Sequence, residues 1–274
     1  MKPLIHFAHA NGVPSATYEK MFAALRDEYD VITLPLIGTE ARYPVTNHWT
    51  RLVDQVIDSI ESQAGGRPVI ALGHSMGGLL SFMAAYQRPE LMDQLIMLDP
   101  PLINGMPSLA LHLAKTFRPK SLDKLTPAGV SARRRDHWDS REQAASLLRG
   151  KGFFAGFDPD CFAAYIAHGL TDAPQGGVTL TIPKATEVAV FRTNPSWFWL
   201  KPRHAPRPPA RLVVGEDSLF YKRGFPQRLE RQLKIGCHIS RGGHMFPLER
   251  PEQTAIMIKG IIRQLQAEQA LKRN

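Results

Sequence analysis

The chain is predicted to fold as an α/β protein, a mostly parallel sheet of about six strands with helices on both faces and an inserted, mainly helical lid. Two observations predict this. Short apolar runs alternate with amphipathic stretches of helical length at both ends of the chain, the pattern of β-α units that build a parallel sheet. A long middle stretch breaks that rhythm and then hands back to it.

In chain order, Leu4-Ile5-His6-Phe7-Ala8 reads as a strand and residues 15–27 as a helix. Residues 30–35 read as a strand, 48–63 as a helix, and 68–72 as a buried strand. Residues 76–87 read as a helix that stops at Arg88-Pro89, and 94–99 as the next strand. After the middle stretch come a strand at 210–214, a helix at 224–233, a strand at 235–240 and a proline-started helix at 251–270. Residues 1–101 and 207–274 are therefore assigned to one core and 102–206 to a lid inserted into it. Within the lid, Leu109 to Phe117, Ser140 to Leu148, Cys161 to Gly169 and Lys184 to Phe191 read as helices, and residues 176–183 as extended or looped. Trp197-Phe198-Trp199 is a dense aromatic patch, and Pro202 to Pro209 a stiff connection.

The most specific local signal is Gly73-His74-Ser75-Met76-Gly77, set between a buried strand and a helix. Gly-x-Ser-x-Gly alone is common in loops. Between strand and helix it describes a tight turn that pushes a serine hydroxyl out at the carboxyl end of a sheet, with small neighbours to make room. The helix N-terminus beneath it favours developing negative charge. A serine hydroxyl needs a base to take its proton. His244, in Gly242-Gly243-His244 after the last strand, stands where such a base is required. Ser81, further along the helix, is expected to satisfy its hydroxyl locally.

With these residues in view, the chain resembles the α/β-hydrolase superfamily, and within it the small bacterial serine hydrolases whose first loop reads His-Ala-Asn-Gly, here His9-Ala10-Asn11-Gly12. The likeness covers residues 1–101 and 210–270. It implies the α/β-hydrolase fold without the two leading antiparallel strands of larger members. It also implies a serine esterase or related enzyme that cleaves a carboxylic ester or thioester through an acyl-enzyme on Ser75, with no cofactor and no metal. Carbon–carbon bond hydrolysis on the same triad and a non-catalytic binding role are the alternatives. Epoxide and carbon–halogen hydrolysis need an aspartate where Ser75 stands. The oxyanion hole implied by the likeness is built from the backbone amides of Asn11 and Met76. Two departures stand out. The common His-Gly-x-Pro loop is His9-Ala10-Asn11-Gly12, and the acid is displaced. Most members carry it after the strand that follows the lid, three residues past a glycine, where this chain has Ser218. Two acids remain as candidates: Asp99, ending the strand before the lid as in haloalkane dehalogenases, and Asp217, one residue early. Asp99 is preferred, because one residue near a strand end redirects a side chain.

Composition sets outer limits. At 274 residues, with 43% hydrophobic and 22% charged residues, the chain is ordinary for a globular enzyme with a sizeable core. No apolar run is long enough for a membrane span. The first strand begins within five residues of Met1, which leaves no room for a cleaved signal, and Cys161 and Cys237 read as reduced thiols. A cytoplasmic location is expected. The net charge is +9, and residues 102–206 hold fourteen Lys and Arg against eight Asp and Glu. Arg133-Arg134-Arg135 is followed at once by Asp136 and Asp139, and no nucleic-acid-binding motif accompanies it. The expected partner is a small ester or acyl substrate, not nucleic acid; the oligomeric state is left open.

Overall fold

A computed structural model describes residues 1–196, 202 and 204–273. Its main sheet has the order β2-β1-β3-β4-β8-β9, from Leu4–Ala8 (β1), Asp30–Thr33 (β2), Val69–His74 (β3), Met92–Leu98 (β4), Ala210–Gly215 (β8) and Gly236–Ser240 (β9). All five pairings are parallel.

Side chains alternate across each strand, so one sheet buries two cores. Ile5, Phe7, Ile70, Leu72, Ile96, Leu98 and Val213 point to one side. There they meet Met21 and Phe22 of helix α1 (Glu19–Leu25) and Ile258, Ile261 and Leu265 of the C-terminal helix (Pro251–Arg273). Leu4, Ala8, Val69, Ala71, Leu95, Met97 and Leu212 point to the other. They pack on α2 (Thr50–Gln63), α3 (Met76–Gln87) and the helix Phe225–Leu233. Elements of this half lie within a few residues of the sequence reading. The region 15–27 differs: Ser15–Tyr18 forms a tighter 3-10 turn before α1. Its first residue is held sideways, the Ser15 hydroxyl donating to the Leu34 carbonyl at 2.6 Å and its amide to that of Pro35.

Between β4 and β8 the chain leaves the sheet and makes α4 (Met106–Phe117), α5 (Leu122–Leu125), α6 (Ala128–Arg133), α7 (Arg141–Arg149), α8 (Gly152–Ala155), α9 (Pro159–His168) and α10 (Lys184–Arg192). Phe154, Phe162 and Tyr165 of α8 and α9 join the same buried cluster as Tyr18 and Phe22, so this side of the insertion shares the core of the main sheet. A small antiparallel sheet, order β5-β7-β6, uses His137–Trp138 (β5), Leu170–Asp172 (β6) and Val178–Leu180 (β7) over a cluster around Trp138. Strands of two or three residues are too short to show periodicity, and only β7 fell in a stretch read as extended. The Trp197-Phe198-Trp199 patch lies outside the described residues. Cys161 and Cys237 are free thiols, and burial pushes both up to about 12, which makes them inert at neutral pH. Among the described residues no helix is long and apolar enough to cross a membrane.

Three fully buried histidines, His6, His9 and His74, lie in or next to the central strands. Burial lowers His6 from 6.5 to about 3 and His9 to about 4. Below pH 6.5 the unfolded chain takes up protons that the folded chain refuses, so this stability is present above 6.5 and lost as pH falls towards those values. For His6, whose Nε2 meets Ser59 Oγ at 2.9 Å while Nδ1 has no partner among the described residues, the loss amounts to about 1.4 kcal/mol per pH unit. Urea unfolding at pH 7 and pH 5 checks this: the wild type is expected to lose roughly 2 kcal/mol more than His6→Leu over that interval.

Candidate active site

Ser75 sits between β3 and α3 with φ 53° and ψ −118°, a backbone conformation that a side chain adopts only under constraint. The constraint is the crowding around it. A Cβ on Gly73 would lie 2.4 Å from the backbone of Gly77, and one on Gly77 would lie 2.0 Å from the Ala8 carbonyl oxygen. Only glycine lets α3 come this close to β3 and β1. The Ser75 amide donates to the Leu98 carbonyl at 2.8 Å and the Gly77 amide to that of His9 at 3.1 Å, so the turn is tied to both neighbouring strand ends.

The second tie brings residues 9–12 beside the turn. The His9 imidazole accepts the Ile37 amide at 2.8 Å through Nε2. Its Nδ1–H donates to the Ala10 carbonyl at 2.7 Å. Met76 supplies the first amide of α3, one of the end amides that have no carbonyl within their own helix. Asn11 is half-buried, and its side-chain amide donates to the main-chain carbonyl of Glu187 in α10 at 3.0 Å. The Glu187 carboxylate is buried with Ser131 at 2.7 Å and Arg134 at 2.7 Å, and a Cβ on Gly12 would meet it at 2.9 Å. The insertion therefore grips this loop directly.

His244 reaches the same point from the far edge of the sheet. Its Nε2 is 2.9 Å from Ser75 Oγ and its Nδ1 is 2.5 Å from Asp99 Oδ2. Asp99 is fully buried, with φ 43° immediately after β4, and its amide donates to the Val213 carbonyl at 2.7 Å. Its carboxylate receives two further donors: Ser218 Oγ at 2.6 Å on Oδ2 and the Gly215 amide at 3.2 Å on Oδ1. Asp217, the other acid considered from sequence, is not brought to His244. Its carboxylate is two-thirds exposed and pairs with Lys222 at 3.0 Å. Ser218, at the position where most of the superfamily carries its acid, instead faces inward and serves the carboxylate of the neighbouring strand.

Several contributors were not apparent from sequence. His74, the residue before Ser75, is fully buried. Its Nε2 is 2.9 Å from the His244 carbonyl and its Nδ1 is 2.7 Å from the Tyr18 hydroxyl. Burial, with His244 close by, holds His74 well below the usual histidine range. It is neutral, donating from Nε2 to the main chain of His244 and accepting the Tyr18 proton at Nδ1. The Glu249 carboxylate accepts the Gly243 amide at 3.1 Å, steadying the loop just before His244. Phe220 sets its ring edge-on to His244, centroids 5.5 Å apart. Ser81 differs from expectation: its hydroxyl is buried without a partner among the described residues.

Residues 7–256 match the model of the alpha/beta hydrolase family. The chain belongs to that family. Over 182 residues it is 31% identical to a type I acyl-CoA thioesterase of Penicillium brevicompactum, a match covering 61% of this chain and 39% of the relative. The chain thus spans well under half the length of such curated relatives. Its fold is similar to a peroxisomal alpha-beta-hydrolase of Saccharomyces cerevisiae, with TM-score 0.77 and 17% identity over 98% of this chain and 78% of the other. It is also similar to an E-2-(acetamidomethylene)succinate hydrolase, with TM-score 0.73 and 19% identity over 96% and 92%.

The glycine geometry gives a direct test. Gly77→Ala is expected to destabilise by at least about 3 kcal/mol, because a methyl cannot occupy the site of a carbonyl oxygen without moving β1. Gly260→Ala in the C-terminal helix, where a Cβ meets nothing within 4 Å, is expected to gain up to about 1 kcal/mol. Denaturant unfolding of the two variants beside the wild type reads both.

Proposed function

We propose that the chain is a serine hydrolase that cleaves a carboxylic ester or thioester through an acyl-enzyme on Ser75. One observation carries the proposal: an unbroken run of hydrogen bonds from Ser75 Oγ through both nitrogens of His244 to the buried carboxylate of Asp99. Ser75 Oγ attacks the acyl carbon while His244 Nε2 takes its proton. Asp99, which accepts from His244, Ser218 and the Gly215 amide, fixes the tautomer with the proton on Nδ1 and stabilises the imidazolium. The amides of Asn11 and Met76 receive the charge on the tetrahedral oxygen. His244 returns its proton to the leaving alcohol or thiol, then activates water to release the acid. Side chains and backbone amides carry every step, so the scheme calls for neither cofactor nor metal.

In this reading, residues 102–206 are a cap over the reacting groups and 1–101 with 207–274 the catalytic core. A carbon–carbon bond hydrolase would use the same three side chains. The ester or thioester reading is favoured because the curated relative named above is an acyl-CoA thioesterase. A purely binding role is disfavoured by the strain at Ser75, which a site without chemistry has no reason to keep.

A fluorophosphonate is expected to label the wild type once, on the peptide holding Ser75, and to leave Ser75→Ala unlabelled. On a panel of p-nitrophenyl esters and acyl thioesters of increasing chain length, Asp99→Asn is expected to lower kcat by about four orders of magnitude with little change in KM. Asp217→Asn should stay near wild type. A crippled Asp217→Asn beside an active Asp99→Asn overturns the assignment of the acid, and a label that survives Ser75→Ala overturns that of the nucleophile.

A further inference from the structure

Helix α4 carries apolar side chains on two faces, and only one of them is covered: Leu111 and Ala114 pack with Leu122 and Ile103. At 3.6 residues per turn, Met106, Ala110, Leu113 and Phe117 form one narrow stripe. That stripe faces away from the protein, with Met106 74%, Leu113 46% and Phe117 73% exposed. The opposite side faces inward and mixes the buried apolar Leu111 and Ala114 with polar residues. Ser108 is fully buried, and the His112 ring lies 6.3 Å from that of His48, with its Nδ1 3.3 Å from Ser196 Oγ. Lys115 Nζ lies 3.1 Å from Asn47 Oδ1, 3.0 Å from His48 Nδ1 and 3.0 Å from the Asn194 carbonyl. Burial among acceptors that carry no charge lowers this ammonium to about 8. A surface helix of a globular protein normally presents charged and polar residues on its outward face. Here polar bonds to the loop before α2 and the segment after α10, with the packing of Leu111 and Ala114 on Leu122, hold the helix in place, and a second apolar stripe is left outward.

The rim of the stripe is cationic. Arg118, Lys120 and Lys124 are exposed and form no ion pair among the described residues. Asp123 is the single acid between 106 and 125, and both its oxygens are taken by Arg192 at 2.8 Å. An apolar groove of about 330 Å³ runs along the stripe, lined by Ala110, Leu113, Ala114, Phe117, Arg118 and Ser121.

We propose that this face of α4 docks on an anionic lipid surface. Exposed Leu and Phe beside unpaired Lys and Arg are the two components of interfacial helix binding, apolar burial at the headgroup level and attraction to acidic lipids. The stripe is about 16 Å long, enough for the helix to lie flat in the interface. A second copy of this chain is a poorer occupant, because a two-fold contact through the stripe sets the same cations against each other. The proposal does not depend on the catalytic reading.

Vesicle flotation tests it, using phosphatidylcholine alone and phosphatidylcholine mixed with phosphatidylglycerol. The wild type is expected to float with the anionic vesicles and to be released by salt. Leu113→Gln combined with Phe117→Gln alters only exposed positions and should keep the wild-type melting temperature while losing at least about tenfold in partitioning. Lys120→Gln and Lys124→Gln should each lose about fivefold. Failure to float with anionic vesicles at low salt overturns the proposal, as does equal flotation of the double variant. A wild-type dimer by light scattering that Leu113→Gln/Phe117→Gln dissolves also overturns it, and assigns the face to a second copy.

Discussion

A carboxylate stripped of water is stable in a protein only if donors replace the water, and Asp99 organises the carboxyl edge of this sheet around that requirement. Its donors come from Gly215 at the end of β8, from Ser218 in the turn that follows, and from His244 in the loop after β9. Each is therefore placed by the same group. Asp99 itself has φ 43°, a sparsely populated conformation, at the point where the insertion departs. The Ser75 turn is fastened to the same strand through the Leu98 carbonyl. Ser75, His244 and Asp99 are thus connected through backbone as well as side chains, which limits their relative drift.

The insertion is joined to this edge by chemistry as well as by packing. Glu187 and Arg134 form an ion pair in a largely buried setting, with Ser131 and Tyr165 supplying further partners. Such a pair adds little net stability, but loss of one member leaves a stranded charge, so its role is registry. Because the Glu187 main chain also takes the Asn11 side chain, the registry extends to the loop beside Ser75. α10 and that loop are therefore in direct hydrogen-bond contact.

The parts legible in sequence are those encoded by near neighbours. Gly73, Ser75 and Gly77 announce their turn because the steric demand falls within five residues, and α3 begins and ends where the pattern says. His244 was legible from its flanking glycines. The contacts that complete the site join residues far apart: Tyr18 to His74 across 56 positions, Ser218 to Asp99 across 119, His74 to His244 across 170. No local pattern encodes those. Periodicity locates the stripe on α4 but does not say which way it faces.

The strand order has a kinetic side. β4 and β8 are neighbours in space, yet more than a hundred residues separate them in the chain. On a ribosome, β1 to β4 emerge and pair long before β8 exists, which leaves β4 as a temporary outer strand with its backbone edge unpaired and Asp99 without its donors. Closing so long a loop is slow, and a waiting unpaired edge is where nascent chains stick to one another. The insertion thus sets a vulnerable interval during synthesis. Since β8 and the His244 loop come last, no chain carries the assembled set of side chains until almost all of it has been made.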